Sequence, residues 1–336
     1  MMRALVLALW LTLCTAAIAP QASAKQQKVL YKAIITYAYE NSFTGIYAAP
    51  DTQSKMIGTY NPGTPIDIVD VLPGYVAINY QNGIGYVLRH RIDDAVAVDP
   101  ATTPRFGTAV NQYYTTLDKV THVKAAPDAG SETLITLQAG AKLGFLDVTD
   151  GWARLIFKRQ YGYVDTRALP ELAMVAPVAD AGTEDTPIAV YNSFYNIAET
   201  PSNQNRIVNL KVCGTRMDRI MQPGDVLDFN GTVGPFRANL GYLPAPGLVD
   251  GGFIQSYGGG SCQVSSTLYN VVLQLTGLTV LQRSPHGKNG ISYLPYGVDA
   301  SSGALNFRFR NDYDFPIRIN THVQDGSLYI SIYREI

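Results

Sequence analysis

Apolar residues recur at Val264, Leu268, Val271, Val272 and Leu275, the i, i+4, i+7, i+8, i+11 spacing of a helix with one buried face. The pattern starts that helix close to Cys262 and puts Gly277 where a C′ glycine would end it. Ile207, Leu210, Met217 and Ile220 share a second helical face, closed by Pro223-Gly224. Elsewhere the pattern alternates. Asp225–Asn230 and Leu278–Leu281 read as strands, and 231–250 reads as loop. Asn306–Arg310, Ile317–Asn320 and Leu328–Tyr333 alternate as well; the last two flank the hairpin signal Asp325-Gly326, which predicts a closing antiparallel sheet.

Alternating runs such as Ile66–Val69 and Val76–Tyr80 lie between turn signals at Asn61-Pro62-Gly63, Pro73-Gly74 and Asn82-Gly83. This part of the chain repeats. Ala48-Ala49-Pro50-Asp51 recurs as Ala125-Ala126-Pro127-Asp128, Gly63 as Gly140, Gly74-Tyr75 as Gly151-Trp152, and Gly85-Tyr86-Val87 as Gly162-Tyr163-Val164. The offset is 77 residues at each landmark (125 − 48, 162 − 85), so one small β-rich domain occurs twice. The turn and closing motifs resemble the bacterial SH3-like domain, over 28–98 and 104–169. That resemblance implies two small β-barrels that contact cell-wall peptides or glycans, or that act only as spacers. His90 and His122 fall at unrelated points of the two copies and read as surface residues. Residues 170–187, aperiodic and proline-bounded, read as a semi-extended linker to a third domain over 188–336. The expected fold class is therefore α+β, mostly β.

At 336 residues the chain is long enough for several cores. Lys+Arg 26 against Asp+Glu 27 leaves no basic field for nucleic acid. Residues 1–24, with Arg3, an apolar run from Ala4 to about Ala19 and Ala22-Ser23-Ala24, read as a secretory signal peptide; the competing reading is a retained anchor. Export to the periplasm, cell wall or medium follows, with no stable membrane insertion after cleavage. Loss of Cys14 leaves Cys213 and Cys262, which either pair as a disulfide or stay free.

Gly258-Gly259-Gly260 ahead of Cys262 lets the backbone turn its N–H groups toward one point at the start of a helix. Those groups and the helix dipole favour a thiolate, the nucleophilic form of cysteine. The N–H groups around Gly259, Gly260 and Gln263 are candidates for an oxyanion hole. His286 is the candidate base and Asp299 its orienting carboxylate, or else a turn residue. Cys213 reads as a small core residue and His322 as a structural one in a strand. No metal motif is present and no cofactor is implied.

The third domain then shows a family likeness. Pro223-Gly224-Asp225, Phe229-Asn230, Val233-Gly234, Gly241-Tyr242, Ala245-Pro246, Gly258-Gly259-Gly260-Ser261-Cys262-Gln263-Val264-Ser265-Ser266-Thr267-Leu268-Tyr269-Asn270, Gly277-Leu278, Pro285-His286 and Tyr293-Leu294-Pro295-Tyr296-Gly297-Val298-Asp299-Ala300 resemble the VanW domain in order and spacing. Departures from the usual pattern fall at Ser261, Val271, Gly287 and Asp228. The resemblance implies an L,D-transpeptidase that joins peptidoglycan stem peptides through a Cys262 thioester. Ser265, Tyr269, Tyr242, Arg237 and Tyr293 are then the candidate substrate contacts, and Arg206, Arg237 and Arg308 the cations available for stem-peptide carboxylates. Two other readings stand beside it: a papain-like peptidase or amidase of peptidoglycan, and a non-catalytic wall-binding protein.

Overall fold

A computed structural model describes residues 27–38, 42–180, 186–249, 252–287 and 290–335; the expected signal peptide lies outside the described residues. The first unit holds β1 (Tyr31–Ile35), β2 (Thr44–Tyr47), β3 (Met56–Tyr60), β4 (Pro65–Val71), β5 (Tyr75–Tyr80), β6 (Gly83–Leu88) and β7 (Ile92–Ala97). They form one antiparallel sheet in the order β3-β2-β6-β5-β4-β1-β7. Ile35, Ile46, Ile68, Ile78 and Val87, each from a different strand, are buried in one cluster, so the sheet curls around a single core.

The second unit holds β8 (Tyr113–Thr116), β9 (Thr121–Lys124), β10 (Thr133–Leu137), β11 (Lys142–Phe145), β12 (Asp147–Thr149), β13 (Trp152–Phe157), β14 (Gln160–Asp165) and β15 (Ala173–Met174). The 77-residue repeat reappears as identical turn chemistry. Ser54 Oγ donates to the carbonyls of Ala49 and Asp51 at 3.1 and 2.7 Å, and Ser131 Oγ to those of Ala126 and Asp128 at 3.1 and 2.8 Å. Gly63 and Gly140 both have positive φ.

Neither unit closes into the expected barrel among the described residues. In the first, β3 and β7 remain the two ends of the ladder. In the second, the run 142–149 breaks at Leu146: β11 pairs with β8 and β12 with β13, which splits the unit into a five-stranded sheet, β10-β9-β14-β13-β12, and a three-stranded one, β11-β8-β15. The expected linker is not a free spacer either. Residues 173–174 pair with β8, Val175 N–H donates to Gln112 O at 2.9 Å and Ala176 N–H to Pro187 O at 2.9 Å, so residues 173–176 bond their backbone to the second unit and to the chain that follows the linker.

The third unit runs β16 (Pro187–Phe194), α1 (Pro201–Met217), β17 (Arg219–Met221), β18 (Val226–Asp228), α2 (Phe229–Val233), β19 (Pro244–Val249), β20 (Gly252–Tyr257), α3 (Ser261–Val272), β21 (Leu278–Gln282), β22 (Arg308–Asn311), β23 (Ile317–Gln324) and β24 (Ser327–Arg334). Helices α1 and α3 bury Leu210, Cys213, Met217, Val264, Leu268 and Val271 against the sheet β16-β24-β23-β17. The hairpin at Asp325-Gly326 has both residues at positive φ, as a type I′ turn requires. Helix α1 begins with Thr200 as N-cap and Pro201 at its first position, and stops at Met217. Ile220 therefore sits in β17 rather than on the helix face. Gly277 is not the expected left-handed cap: α3 ends at Val272, and a Cβ on Gly277 would lie 2.2 Å from the Tyr313 ring, so close packing is what requires the glycine. The stretch 231–250 is less loop-like than its sequence, since it contains α2 and β19.

Every residue of β16 is buried, with the second unit lying against it. Asn192 of β16 accepts from Gly144 N–H at 2.6 Å and donates to Lys142 O and Ser327 Oγ at 2.9 and 2.8 Å. Phe194 packs on Phe157 with ring centroids 5.0 Å apart and belongs to the second unit's core. Among the described residues no helix is long and apolar enough to cross a membrane.

Candidate active site

Three glycines shape the turn before α3, each for its own reason. Gly258 has φ +78° and a Cβ there would strike the Phe236 ring; a Cβ on Gly259 would lie 2.4 Å from Ala245 O. Gly260, at φ +107°, is the N-cap of α3, so Cys262 occupies the second helical position. Asn209 of α1, fully buried, donates to Gly259 O at 3.0 Å and Leu243 O at 2.9 Å, and fixes this turn to the first helix.

Cys262 Sγ accepts from the N–H and the hydroxyl of Ser302 at 3.4 and 3.5 Å. The imidazole of His286 also hydrogen-bonds this sulfur. The other ring nitrogen, Nδ1, donates to Asp299 Oδ2 at 2.7 Å, and the backbone N–H of His286 donates to the same oxygen at 2.7 Å. Arg283 completes the chain: Nη2 donates to Asp299 Oδ1 at 3.3 Å and to Gly297 O at 2.9 Å, and Nε to Asp299 O at 2.7 Å. The structure thus joins Cys262, His286 and Asp299 in one hydrogen-bonded line.

Helix α3 itself holds the loop that carries Asp299. Ser265 Oγ and Ser266 Oγ donate to Ala300 O at 2.5 and 3.0 Å, Ala300 N–H donates back to Ser266 Oγ at 2.9 Å, and Asn270 Nδ2 donates to Val298 O at 2.6 Å. The N-terminal units brace the same loop from the far side. Arg159 Nη2 donates to Ile291 O at 2.8 Å, and the His90 ring lies 6.1 Å from that of Tyr296. His90, expected at the surface, is half-buried in this contact; burial lowers its pKa, with the cations Arg91 and Arg159 adding to the effect.

The electrostatics follow from these contacts. Burial opposes the Cys262 thiolate, but the hydrogen bond and charge of His286 and the two bonds from Ser302 outweigh it and lower the thiol pKa. Burial likewise opposes the charged form of His286; Asp299 and Cys262 outweigh it and raise the imidazole to about 9. For Asp299 burial is again opposed and outweighed, by both bonds from His286 and then by Arg283, and its pKa falls. The arrangement therefore favours a thiolate–imidazolium pair held by a carboxylate.

The other expected site residues divide. Tyr293 is partly buried, bonds Ser266 and lies within electrostatic reach of Cys262 and Arg206. Tyr269 is partly buried under Arg283, whose guanidinium carbon lies 5.3 Å from its ring centroid. Two expected substrate contacts are structural instead: Ser265 is fully buried in the bonds above, and Tyr242 is fully buried with its hydroxyl donating to Val233 O at 2.7 Å. Arg237 is exposed at the start of a 3₁₀ turn, and Arg308 pairs with Asp228 at 3.6 Å. Of the expected oxyanion groups, Gly259 N–H donates to Ser256 O at 3.3 Å and Gln263 N–H to Gly260 O at 2.8 Å, both inside the turn. Cys213 is a free, fully buried thiol, with its pKa raised by burial above all, and Cys262 is free as well. His322 Nε2 donates to Gly140 O at 2.9 Å across the seam between units.

Sequence reasoning missed Ser302, Arg283, Asn209 and the side-chain role of Gln263. Ser302, Arg283 and Asn209 belong to no local chemical motif and come to the site only through the fold; Gln263 stands beside Cys262 in the motif, but its side chain meets Arg206, Ser193 and Phe194 only through the fold. Among the described residues no group of three or more His, Cys, Asp or Glu side chains is placed to hold a metal ion.

Residues 205–333 match the family model described as VanW like protein and form a VanW-like domain. The chain is 38% identical over 146 residues to the uncharacterized protein YoaR of Bacillus subtilis (strain 168), covering 43% of this chain and 46% of that protein. It is 28% identical over 142 residues to the vancomycin B-type resistance protein VanW of Enterococcus faecalis (strain ATCC 700802 / V583), covering 39% of this chain and 50% of that protein. The chain spans about half the length of these relatives. Among solved structures, NlpC2 and NlpC1 from Trichomonas vaginalis overlap it at TM-scores of 0.18 and 0.19 with 10% and 12% identity. Those overlaps cover 57% and 93% of this chain and 58% and 95% of theirs, and at such scores they carry no argument.

Proposed function

We propose that the VanW-like domain over 205–333 is a cysteine acyltransferase of the cell wall that cross-links peptidoglycan stem peptides in the manner of an L,D-transpeptidase. The observation that carries this reading is the line from Cys262 through His286 to Asp299, with the thiol lowered and the imidazole raised. The cell-wall substrate rests on the likeness to VanW.

In the first step the thiolate attacks a peptide carbonyl. The C–N bond breaks, the His286 imidazolium gives its proton to the departing amine, and a Cys262 thioester remains. In the second, an acceptor amine loses a proton to His286 and attacks the thioester. A new C–N bond forms as the S–C bond breaks; the sulfur leaves as thiolate while His286 keeps the proton taken from the acceptor amine, which restores the pair. Water as acceptor would give hydrolysis by the same steps. The N-terminal segment exports the chain, and the two β units hold or space the domain at the wall.

The test is incubation of full-length protein with purified muropeptides, followed by mass spectrometry. Cross-linked dimers that disappear in Cys262→Ala are expected. Cleaved monomers alone would replace transpeptidation by hydrolysis, and unchanged muropeptides would overturn the enzymatic reading.

A further inference from the structure

A second cation lies at the start of the helix that carries the thiol. The side chain of Arg206, on α1, crosses the N-cap glycine of α3: a Cβ on Gly260 would lie 2.9 Å from Arg206 Cγ and 3.5 Å from Nε. Its charge acts on Cys262 and Tyr293. One guanidinium N–H is held, since Nη2 donates to Gln263 Oε1 at 2.5 Å. The Gln263 carboxamide cannot turn away. Its Nε2 donates to Ser193 Oγ at 2.9 Å and Phe194 O at 3.2 Å, so its oxygen is left to face the arginine. Ser193 is fixed in turn by Thr267, 2.6 Å away, which bonds Gln263 O at 2.6 Å.

This relay orients Arg206 without neutralising it. Gln263 is an amide, and among the described residues no carboxylate forms an ion pair with Arg206; the charges that act on it come from Tyr293, Cys262 and Tyr195. The thiol takes its hydrogen bonds from His286 and Ser302, so Arg206 has no required bond to the sulfur. Arg206 is half-buried as a residue, and a guanidinium held by one bond, with donors to spare, matches an incoming carboxylate in a bidentate fork. The other candidate cations lack these properties: Arg237 is exposed on a surface turn and Arg308 is paired with Asp228.

We propose that Arg206 binds the free α-carboxylate of the residue that leaves when Cys262 attacks, so that the site selects bonds next to a peptide C-terminus over internal bonds. This rests on Cys262 being the nucleophile of the proposed reaction. During acylation the S–C bond forms, the C–N bond breaks, His286 protonates the amine, and Arg206 holds that amine's own carboxylate until it departs.

The test uses two alkylating probes on the full chain, anionic iodoacetate and neutral iodoacetamide, with Cys262 followed by peptide mapping. In Arg206→Gln the iodoacetate-to-iodoacetamide rate ratio is expected to fall about 10- to 100-fold, the scale of one lost charged hydrogen bond. Arg206→Lys is expected to keep part of it. Comparing the two probes cancels any change in thiolate fraction, which a purely structural role would alter for both equally. An unchanged ratio overturns the proposal. If Arg206→Gln does not fold, wild-type protein given one peptide as free acid and as C-terminal amide decides: equal kcat/KM for both overturns it. Failure of wild-type Cys262 to react with iodoacetamide would instead remove the nucleophile reading, and this proposal with it.

Discussion

Asp299→Asn tests whether the carboxylate, rather than the helix end alone, sets the state of the thiol. Asp299 is 1% exposed and its Oδ2 accepts two hydrogen bonds from His286, both at 2.7 Å. An asparagine of the same shape keeps one acceptor oxygen but turns an NH₂ toward donors, so about one charge-assisted bond, roughly 1.5–3 kcal/mol, is lost. At about 1.4 kcal/mol per pH unit, the imidazole then falls one to two units from about 9 toward its ordinary 6.5, and the thiol rises by a similar amount through their coupling. The assay is the pH dependence of iodoacetamide alkylation at Cys262. Wild-type protein is expected to react well below the ordinary thiol range near 8.5, and its rate to drop only as pH falls through the lowered pKa. At pH about 6 the variant is expected to react roughly 10- to 100-fold more slowly, with its profile moved to higher pH. On the alkaline side, wild-type turnover should fall as His286 loses its proton near 9, and variant turnover at lower pH. Superimposable alkylation profiles would refute the argument and assign thiol activation to the helix N-terminus and Ser302.

Two further outcomes follow from packing. Gly259→Ala places a methyl group 2.4 Å from Ala245 O, so a loss of about 1–3 kcal/mol in urea unfolding and slower Cys262 alkylation are expected, whereas Gly83→Ala, which meets nothing within 4 Å, should be near neutral. Wild-type alkylation in Gly259→Ala would show that the turn does not position the thiol. Asn192→Ala leaves Gly144 N–H without its side-chain acceptor at a buried seam, while Lys142 O keeps Ser327 Oγ as a donor at 3.0 Å, and is expected to cost roughly 1–3 kcal/mol in the same unfolding assay; a loss under about 0.5 kcal/mol would mean that the second unit is not held there.

The helix that carries Cys262 was legible because its cause is local: an apolar period of 3.6 behind a turn whose Gly258 and Gly260 take positive φ, although what crowds each glycine, from Phe236 to Ala245 and Arg206, comes from elsewhere in the chain. His286 and Asp299 were nameable as chemistry, but their alignment depends on Ser265, Ser266 and Asn270 binding the loop 298–300, which no spacing encodes. The same residues misled in another way. A serine or tyrosine beside a nucleophile reads as a substrate contact until burial shows its hydroxyl already bonded, as in Ser265 and Tyr242. The hairpin of β19 and β20 was hidden by Pro244 and Pro246, which lack N–H groups and read as loop. Barrel closure in the N-terminal units failed because turn motifs fix hairpins, not whether the two end strands of a ladder meet.

The buried seam along β16 changes what the N-terminal units can do mechanically. A module on a loose tether raises the local concentration of its ligand throughout the volume that the tether sweeps. Here Asn111 and Gln274 both donate to Val190 O, at 2.8 and 2.9 Å, Asn192 bridges to β11, and Arg159 grips Ile291 O. Gln274 lies just beyond the end of the helix that begins at Cys262, so the nucleophile and the second unit share one rigid strut. The second unit and the thiol therefore stand at one separation and one bearing. The geometry is that of a caliper, whose gauge is set by a buried seam and not by the length of a tether.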